Sequence, residues 1–281
     1  MPVSAPFPVP RGKESGKLRF NTLGPLEVLH NGQNFTPTAP KARNTLALLL
    51  SRVNEVVEIP ALIDELWIDN PPRSAVTTAQ TYIYQLRKML GRALGPEAAR
   101  PVLVTRAPGY RLQIDEELID ARIFEQLAGE GKRLFAAGRS EEASGRLQQA
   151  LDLWRGPALS DVTTGQVLEA HVVQLEELRL GALQLRIQAD MRLGRHLELL
   201  PELRSLVAAR PLNEWLHAQL ITCLKQSGRR GEALQAYQAL RRVLDEELGL
   251  QPSLTLQRLQ QYVLSETVDE GATHLPMRAT A

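Results

Sequence analysis

The sequence predicts a mainly α-helical protein, in which an N-terminal region with small antiparallel sheets precedes an all-α helical repeat domain. Short β-branched and aromatic runs bounded by turn residues lie before residue 115. Apolar residues at intervals of three and four continue from there to about residue 264. Gly194-Arg195 and Gly228-Arg229 stand 34 residues apart, the period of tetratricopeptide repeats. A generic helical bundle with Gly-Arg as a stop signal remains the alternative.

The length of the chain predicts two domains, and their net charges differ in sign. With 281 residues and 43% hydrophobic content we expect a disordered arm at 1–17, domains at 18–114 and 115–265, and a flexible tail at 266–281. Residues 1–114 carry 14 Lys and Arg against 8 Asp and Glu, a net charge of +6, and the remainder has 19 against 24, or −5. The basic part is therefore expected to bind a polyanion, although solubility alone could produce this asymmetry.

Several classes of protein are disfavoured. No apolar run approaches the roughly 20 residues of a membrane span, and no signal peptide is recognisable, so a cytoplasmic location is expected. A single cysteine and five scattered histidines predict neither a disulfide framework nor a metal site, and no cofactor is expected. Carboxylate pairs such as Asp64-Glu65 fall on predicted helix surfaces, where adjacent side chains diverge by about 100°. We therefore expect no catalytic residues and no enzyme.

The N-terminal elements begin with strands at 18–23 and 25–30, and Asn31-Gly32 predicts a hairpin turn into 33–36. A first helix is expected from residue 40 or 41 to about 53, and Lys41 and Arg43 near its start suggest an external anion. A break at 56–59 and a short helix at 60–67 follow. Residues 74–90 then form the most informative helix, with Ser74 as a plausible N-cap and Gly91 at its end.

The 74–90 helix has one apolar face, formed by Ala79, Ile83, Leu86 and Leu90. Its opposite face contains no carboxylate and is polar: Thr77, Thr78, Thr81, Tyr84, Gln85 and Lys88, with Gln80 and Arg87 at its margins. Strands at 101–106 and 110–114 then surround the Ala107-Pro108-Gly109 turn and carry Arg106 and Arg111 beside it. A phosphate-lined groove would suit this helix and hairpin, but an ordinary amphipathic helix beside an ordinary hairpin shows the same spacing.

Helices are predicted through the second domain, and short Gly or Pro breaks between them imply antiparallel neighbours. Their predicted ranges are 120–137, 140–154, 165–193, 196–209, 212–226, 231–247 and 253–264.

This order of elements, with five local strings, resembles the OmpR-type winged helix and the Streptomyces antibiotic regulatory protein (SARP) family of bacterial transcriptional activators. The strings are FNTLGPLEV (20–28), IDELW (63–67), TAQTYIYQLRKML (78–90), VTRAPGYRL (104–112) and DEELGLQPS (245–253). The second domain resembles the bacterial transcriptional activation domain that follows the winged helix in this family.

The resemblance implies specific contacts with double-stranded promoter DNA. Arg106 would enter the minor groove, Arg87 and Arg111 would hold phosphates, and Lys41, Arg43, Arg92 and Tyr110 join them as backbone or wing residues. Many relatives have a basic residue at Tyr84 or Gln85, so base preference does not transfer. The residues expected to face bases in the major groove are Thr77, Gln80, Thr81, Tyr84, Gln85 and Lys88.

The implied function is sequence-specific activation of a secondary-metabolite (antibiotic) gene cluster. The protein would bind direct repeats, self-associate on DNA and recruit RNA polymerase holoenzyme. The alternative is a helical-repeat adaptor whose basic domain binds nucleic acid nonspecifically.

Overall fold

The computed structural model describes residues 18–68 and 70–265. The chain forms two compact units, which divide between Arg186 and Ile187. The arm and tail predicted at 1–17 and 266–281 lie outside the described residues. As predicted, small antiparallel sheets are confined to the N-terminal region, and the described chain that follows is helical. Within the described residues, no helix has the length and apolar character needed to cross a membrane.

The first sheet lies at the start of the described chain. Its strands are β1 (Arg19–Asn21), β2 (Glu27–His30) and β3 (Gln33–Asn34), which pair antiparallel in the order β1-β2-β3. Asn31 and Gly32 both adopt positive φ angles, 52° and 77°, which confirms the hairpin turn predicted from the Asn-Gly pair.

The strands of a second sheet lie between and after the next helices in the chain. The helices are α1 (Pro40–Ser51), α2 (Ile59–Trp67), α3 (Ala75–Leu94) and the single turn α4 (Pro96–Ala99). The strands are β4 (Val56–Glu58), β5 (Leu103–Arg106) and β6 (Gly109–Leu112), in the order β4-β6-β5. A break was expected at β4, but this segment pairs with β6, which lies about 50 residues later in the chain.

Helix α3 is longer than predicted. The chain passes through Gly91 in helical conformation and ends the helix at Gly95, whose φ of 84° suits glycine. Ser74 precedes the helix as expected, but its side chain forms no capping hydrogen bond.

The first unit continues beyond the second sheet. A 3₁₀ turn (Glu116–Leu118) leads to α5 (Asp120–Ala136), α6 (Ser140–Leu151) and α7 (Gln166–Arg192), within which the two units divide. One hydrophobic core includes residues from β1 through α3 together with Phe124, Leu147 and Leu168 of these helices. The boundary predicted at 114/115 therefore marks where strands end, and the packing continues across it.

Three carboxylates, of which Asp120 and Glu65 are buried, join the segment before residue 115 to the helical segment that follows it. Asp120 accepts hydrogen bonds from the backbone N–H groups of Thr22 (2.7 Å) and Leu23 (3.0 Å), and Asp161 accepts one from Leu26 (2.8 Å). Burial raises the pKa of Asp120 above its usual 3.8, whereas the hydrogen bonds from Leu23 and Thr22 oppose the rise. Glu65 was expected on a helix surface, but it is 2% exposed and accepts backbone hydrogen bonds at the start of α7.

The second unit is a set of consecutive packed helices: α8 (His196–Ala209), α9 (Glu214–Gln226), α10 (Arg230–Leu248) and α11 (Leu254–Leu264). Gly228 reverses the chain between α9 and α10 with a φ of 74°. Helix α9 begins two residues after its predicted start because the Asn213 side chain accepts a hydrogen bond from the Leu216 N–H and caps it.

His217 makes the stability of the second unit depend on pH. Its Nε2 donates to the Pro211 carbonyl at 2.9 Å, so the neutral ring leaves Nδ1 unprotonated, and Nδ1 is buried without a hydrogen-bond partner. Burial lowers the pKa of His217 below its usual 6.5. The unfolded chain therefore takes up the proton first, and the free energy of unfolding is expected to fall as pH drops below about 6.5.

A His217→Gln variant should reduce this dependence, because glutamine offers an N–H donor but does not titrate. Urea unfolding of both proteins at about pH 8 and about pH 5.5 measures the difference. Equal losses of stability on acidification would contradict the assignment to His217.

Candidate nucleic-acid interface

Helix α3 is positioned by its apolar face. Ala79, Ile83, Leu86 and Leu90 are each at most 1% exposed and belong to the core of the first unit. Their spacing of three and four places them in one stripe, so packing fixes the rotation of the helix about its axis. The polar residues of the opposite face are thereby directed to solvent.

The exposed face of α3 contains all six residues predicted to face bases. Tyr84 is 65% exposed. Thr81 is exposed too, and its hydroxyl donates to the Thr77 carbonyl at 3.0 Å, so its oxygen can still accept a hydrogen bond. No Asp or Glu occurs in α3, and Arg92 lies in its last turn. The face therefore offers donors, acceptors and a methyl group with no negative charge to repel phosphate. The six exposed residues are Thr77, Gln80, Thr81, Tyr84, Gln85 and Lys88.

The hairpin of β5 and β6 forms the wing. Arg106 pairs with Gly109 across the turn and is exposed, as are Ala107 and Pro108. Gly109 also pairs with Glu58 of β4, and a Cβ at this position would lie 1.9 Å from the Val57 carbonyl oxygen. Glycine is therefore required for the close approach of β4 and β6 below the wing tip.

Arg87 joins α3 to the wing. Its Nε donates to the Leu103 carbonyl at 3.0 Å, and its Nη2 donates to the Thr105 hydroxyl at 2.9 Å. The guanidinium carbon lies 5.8 Å from the centre of the Tyr110 ring. The phosphate role that resemblance implied for Arg87 therefore competes with contacts inside the protein.

Four other residues were predicted to contact the DNA backbone or to belong to the wing. Each of them either contacts other groups of the protein or is at least partly buried. Lys41 donates to the Leu66 carbonyl and lies over the Trp67 ring, because α2 packs beside the start of α1. Arg43 forms an ion pair with Asp161 and donates to the Leu26 carbonyl at 3.4 Å.

Tyr110 is 7% exposed because its ring belongs to the core of the first unit. Arg111 is half-buried, its Nε is buried without a hydrogen-bond partner, and it lines a cleft with Leu94 and Asp115. The structure thus brings Arg92 and Arg106 to the surface but does not present Tyr110 there.

Two residues that shape the interface were missed in the sequence. The role of Thr105 was not predicted, and the only sequence signal for it is its position beside Arg106 in a short strand. Glu65 lies between Leu62 and Leu66, and a carboxylate inside an apolar stripe is a signal of a buried polar partner. Neither partner, Arg87 or the start of α7, could be identified from local spacing.

The comparisons with known proteins agree with this arrangement. Residues 32–112 match the family model described as "Transcriptional regulatory protein, C terminal", and residues 119–264 match "Bacterial transcriptional activator domain". The first match contains α3 and the wing, and the second contains α5 through α11.

Relatives extend the similarity to nearly the full chain. Regulatory protein DnrI of Streptomyces peucetius is 46% identical over 268 residues, which cover 94% of this chain and 98% of DnrI. Transcriptional regulator RedD of Streptomyces coelicolor is 34% identical over 89% of this chain and 71% of its own length. Regulatory protein AfsR of the same species is 38% identical over 90% of this chain, which spans 25% of AfsR.

A solved structure shares the fold. Mycobacterium tuberculosis EmbR, in complex with a low-affinity phosphopeptide, superposes with a TM-score of 0.79 at 36% identity, and the match covers 88% of this chain and 65% of EmbR. The α3 surface, the wing, the two family models and the near full-length match to DnrI lead to one conclusion. The chain belongs to the Streptomyces antibiotic regulatory protein family, and it is a DNA-binding transcriptional regulator and not an enzyme.

Proposed function

We propose that this protein is a sequence-specific activator that docks α3 in the major groove of promoter DNA and Arg106 in the adjacent minor groove. The observation that carries the proposal is the exposed, carboxylate-free face of α3 beside an exposed wing arginine. Base contacts are assigned to Thr77, Gln80, Thr81, Tyr84, Gln85 and Lys88, because side chains at base edges determine specificity.

Phosphate contacts are assigned chiefly to Arg92, which is exposed in the last turn of α3. Lys41 and Arg43 would have to leave the Leu66 carbonyl and Asp161 before they could bind phosphate. Tyr110 can support the wing from beneath but offers little surface to DNA.

The helical domain is proposed to act after DNA binding, by self-association of copies on direct repeats and by contact with RNA polymerase holoenzyme. Its match to the bacterial transcriptional activator domain supports this role. Binding at adjacent sites raises the effective concentration of the second copy and therefore the occupancy of both. The similarity to DnrI and RedD and the membership of this family support a secondary-metabolite gene cluster as the target, with the protein at the nucleoid in the cytoplasm.

Selection of the full chain against a random pool of DNA duplexes tests the proposal. A specific activator should enrich one motif, in repeated copies, at moderate salt. A helical-repeat adaptor that binds nucleic acid nonspecifically would enrich no motif, and its affinity would fall with salt equally for all duplexes. That result would overturn the proposed function.

Substitution of Thr81 and Tyr84 by alanine should reduce discrimination between the selected duplex and competitor. Each good base contact contributes about 1 to 3 kcal/mol to discrimination, or about 5-fold to 150-fold. Competition anisotropy measures the ratio for the Thr81→Ala, Tyr84→Ala and Arg106→Ala variants. Arg139→Ala is the control, because this exposed arginine of the α5–α6 turn pairs with Glu142 far along the chain from α3. Unchanged discrimination in all three variants would contradict the assignment of these contacts.

A further inference from the structure

The Arg87 side chain links the two elements that are proposed to contact DNA. Arg87 projects from α3, and its guanidinium donates to two acceptors of β5, the Leu103 carbonyl at 3.0 Å and the Thr105 hydroxyl at 2.9 Å. Two directional bonds from one planar group fix both the distance and the orientation between helix and strand.

The register explains why the Leu103 carbonyl is available. The Gln113 N–H donates to the Val102 carbonyl at 2.7 Å, so Val102 is a hydrogen-bonded position. Such positions alternate along an antiparallel strand, so the carbonyl of the next residue, Leu103, points away from β6. Strand β5 is an edge of the β4-β6-β5 sheet, and in the part of the chain that the structure describes no second strand lies beside it. The Arg87 guanidinium occupies the place where a further strand would otherwise bind.

The flat face of the Arg87 guanidinium also contacts the hairpin. Its carbon lies 5.8 Å from the centre of the Tyr110 ring, and Tyr110 is directly opposite Thr105 in the hairpin register. Because Tyr110 is 7% exposed and belongs to the core, it is a fixed surface for the arginine. The hairpin thus meets Arg87 through a carbonyl, a hydroxyl and an aromatic ring.

We propose that Arg87 is a positioning residue that sets the wing against α3, and not a ligand of DNA phosphate. This inference rests on the proposed function. Thr105 immediately precedes Arg106, and Lys88 immediately follows Arg87, so the link lies between the minor-groove and major-groove contacts. Loss of Arg87 therefore displaces Arg106 from its groove while α3 keeps its own contacts.

Lysine cannot replace Arg87 in this role. An ammonium group can bind one phosphate as a point charge, but it lacks the planar fork that reaches the Leu103 and Thr105 acceptors together. Arg87→Lys and Arg87→Met are thus expected to weaken specific binding to a similar extent. A phosphate ligand would instead be rescued largely by lysine.

A double-mutant cycle with Arg106 tests the proposal on the full chain and the selected duplex. In the unmodified background, Arg87→Met should weaken binding about tenfold, within the range of coupled neighbours. In an Arg106→Ala background, Arg87→Met should change neither the affinity by more than about twofold nor the slope of log affinity against log salt. Lys88→Met is the matched control, since loss of this exposed cation should lower affinity in both backgrounds.

Additive losses from Arg87→Met and Arg106→Ala, with a salt slope reduced by about 0.9 in both backgrounds, would assign Arg87 to phosphate and overturn the inference. Rescue by Arg87→Lys would do the same. If Arg87→Met does not fold, Thr105→Val replaces it in the cycle, because it removes one acceptor and no charge. Thr105→Val should also couple to Arg106→Ala, and additivity would overturn the inference.

The failure of the proposed function gives a different result. If the unmodified chain binds no duplex specifically, the proposed function fails, and the inference falls with it. If the unmodified chain binds specifically and the cycle is additive, the inference alone fails.

Discussion

A Glu65→Ala variant is expected to lose about 3 kcal/mol of unfolding free energy, because it leaves several buried donors without an acceptor. The Glu65 carboxylate is 2% exposed and accepts hydrogen bonds from the N–H groups of Gly165, Val167 (2.9 Å) and Leu168 (3.3 Å). These groups lie at the start of α7, where the first N–H groups have no partner within the helix and the helix dipole favours a negative charge.

Asp64→Ala is the matched control, since Asp64 is the exposed neighbour of Glu65 in α2. Substitution of an exposed residue usually changes stability by less than about 0.5 kcal/mol. Urea unfolding followed by circular dichroism gives both values, and a Glu65→Gln variant, which keeps one acceptor oxygen, should fall between them. If Glu65→Ala and Asp64→Ala were equally stable, Glu65 would not anchor α7.

The contacts of Glu65 also connect α7 to α3. Helix α2 contains Glu65 and packs against α3, so the start of α7 and the helix proposed to contact DNA are joined through α2. Asp120 and Asp161 make similar contacts to the backbone of Thr22, Leu23 and Leu26. A fragment that ends at residue 114 would lose these carboxylate contacts with the segment after residue 114 and expose part of the shared core.

Local periodicity was sufficient to predict most helices. Helix α8 spans residues 196–209 as predicted. Helix α5 ends one residue earlier than predicted, and α7 is shorter than predicted by one residue at each end. Apolar stripes and glycine stops are properties of neighbouring residues, so the sequence displays them directly. The same periodicity predicted the outward direction of five exposed residues of α3, namely Thr77, Thr81, Tyr84, Gln85 and Lys88. It also placed Thr78 on that face and Gln80 at its margin, whereas Thr78 is half-buried and Gln80 is exposed.

Contacts between distant segments could not be predicted in this way. Strand β4 has only three residues, too few for a visible alternation, and it is a strand because β6 pairs with it. A helical pattern gives the direction of Arg43 but not the presence of Asp161, which lies 118 residues later. The burial of Tyr110 and the link from Arg87 to β5 likewise depend on tertiary neighbours.

A Gly109→Ala variant is expected to disrupt the wing. The added Cβ would lie 1.9 Å from the Val57 carbonyl oxygen and 2.7 Å from the Glu58 Cα. Both are backbone atoms of β4, so no side-chain rotation relieves the overlap, and β4 and β6 must separate. Overpacking of this kind destabilises a protein by about 1 to 3 kcal/mol.

The effect on DNA binding should be larger than the effect on folding. Gly109 is the cross-strand partner of Arg106, so a shift of β6 moves the wing arginine away from the position set by α3. We expect the Gly109→Ala variant to lose most of its preference for the selected duplex while its helical circular dichroism signal is retained. Gly145→Ala is the control, because this exposed glycine of α6 has open space at its Cβ position, and alanine should stabilise the helix by up to about 1 kcal/mol. If Gly109→Ala bound the duplex as Gly145→Ala does, the wing would not depend on the close approach of β4, and Arg106 could not owe its position to that sheet.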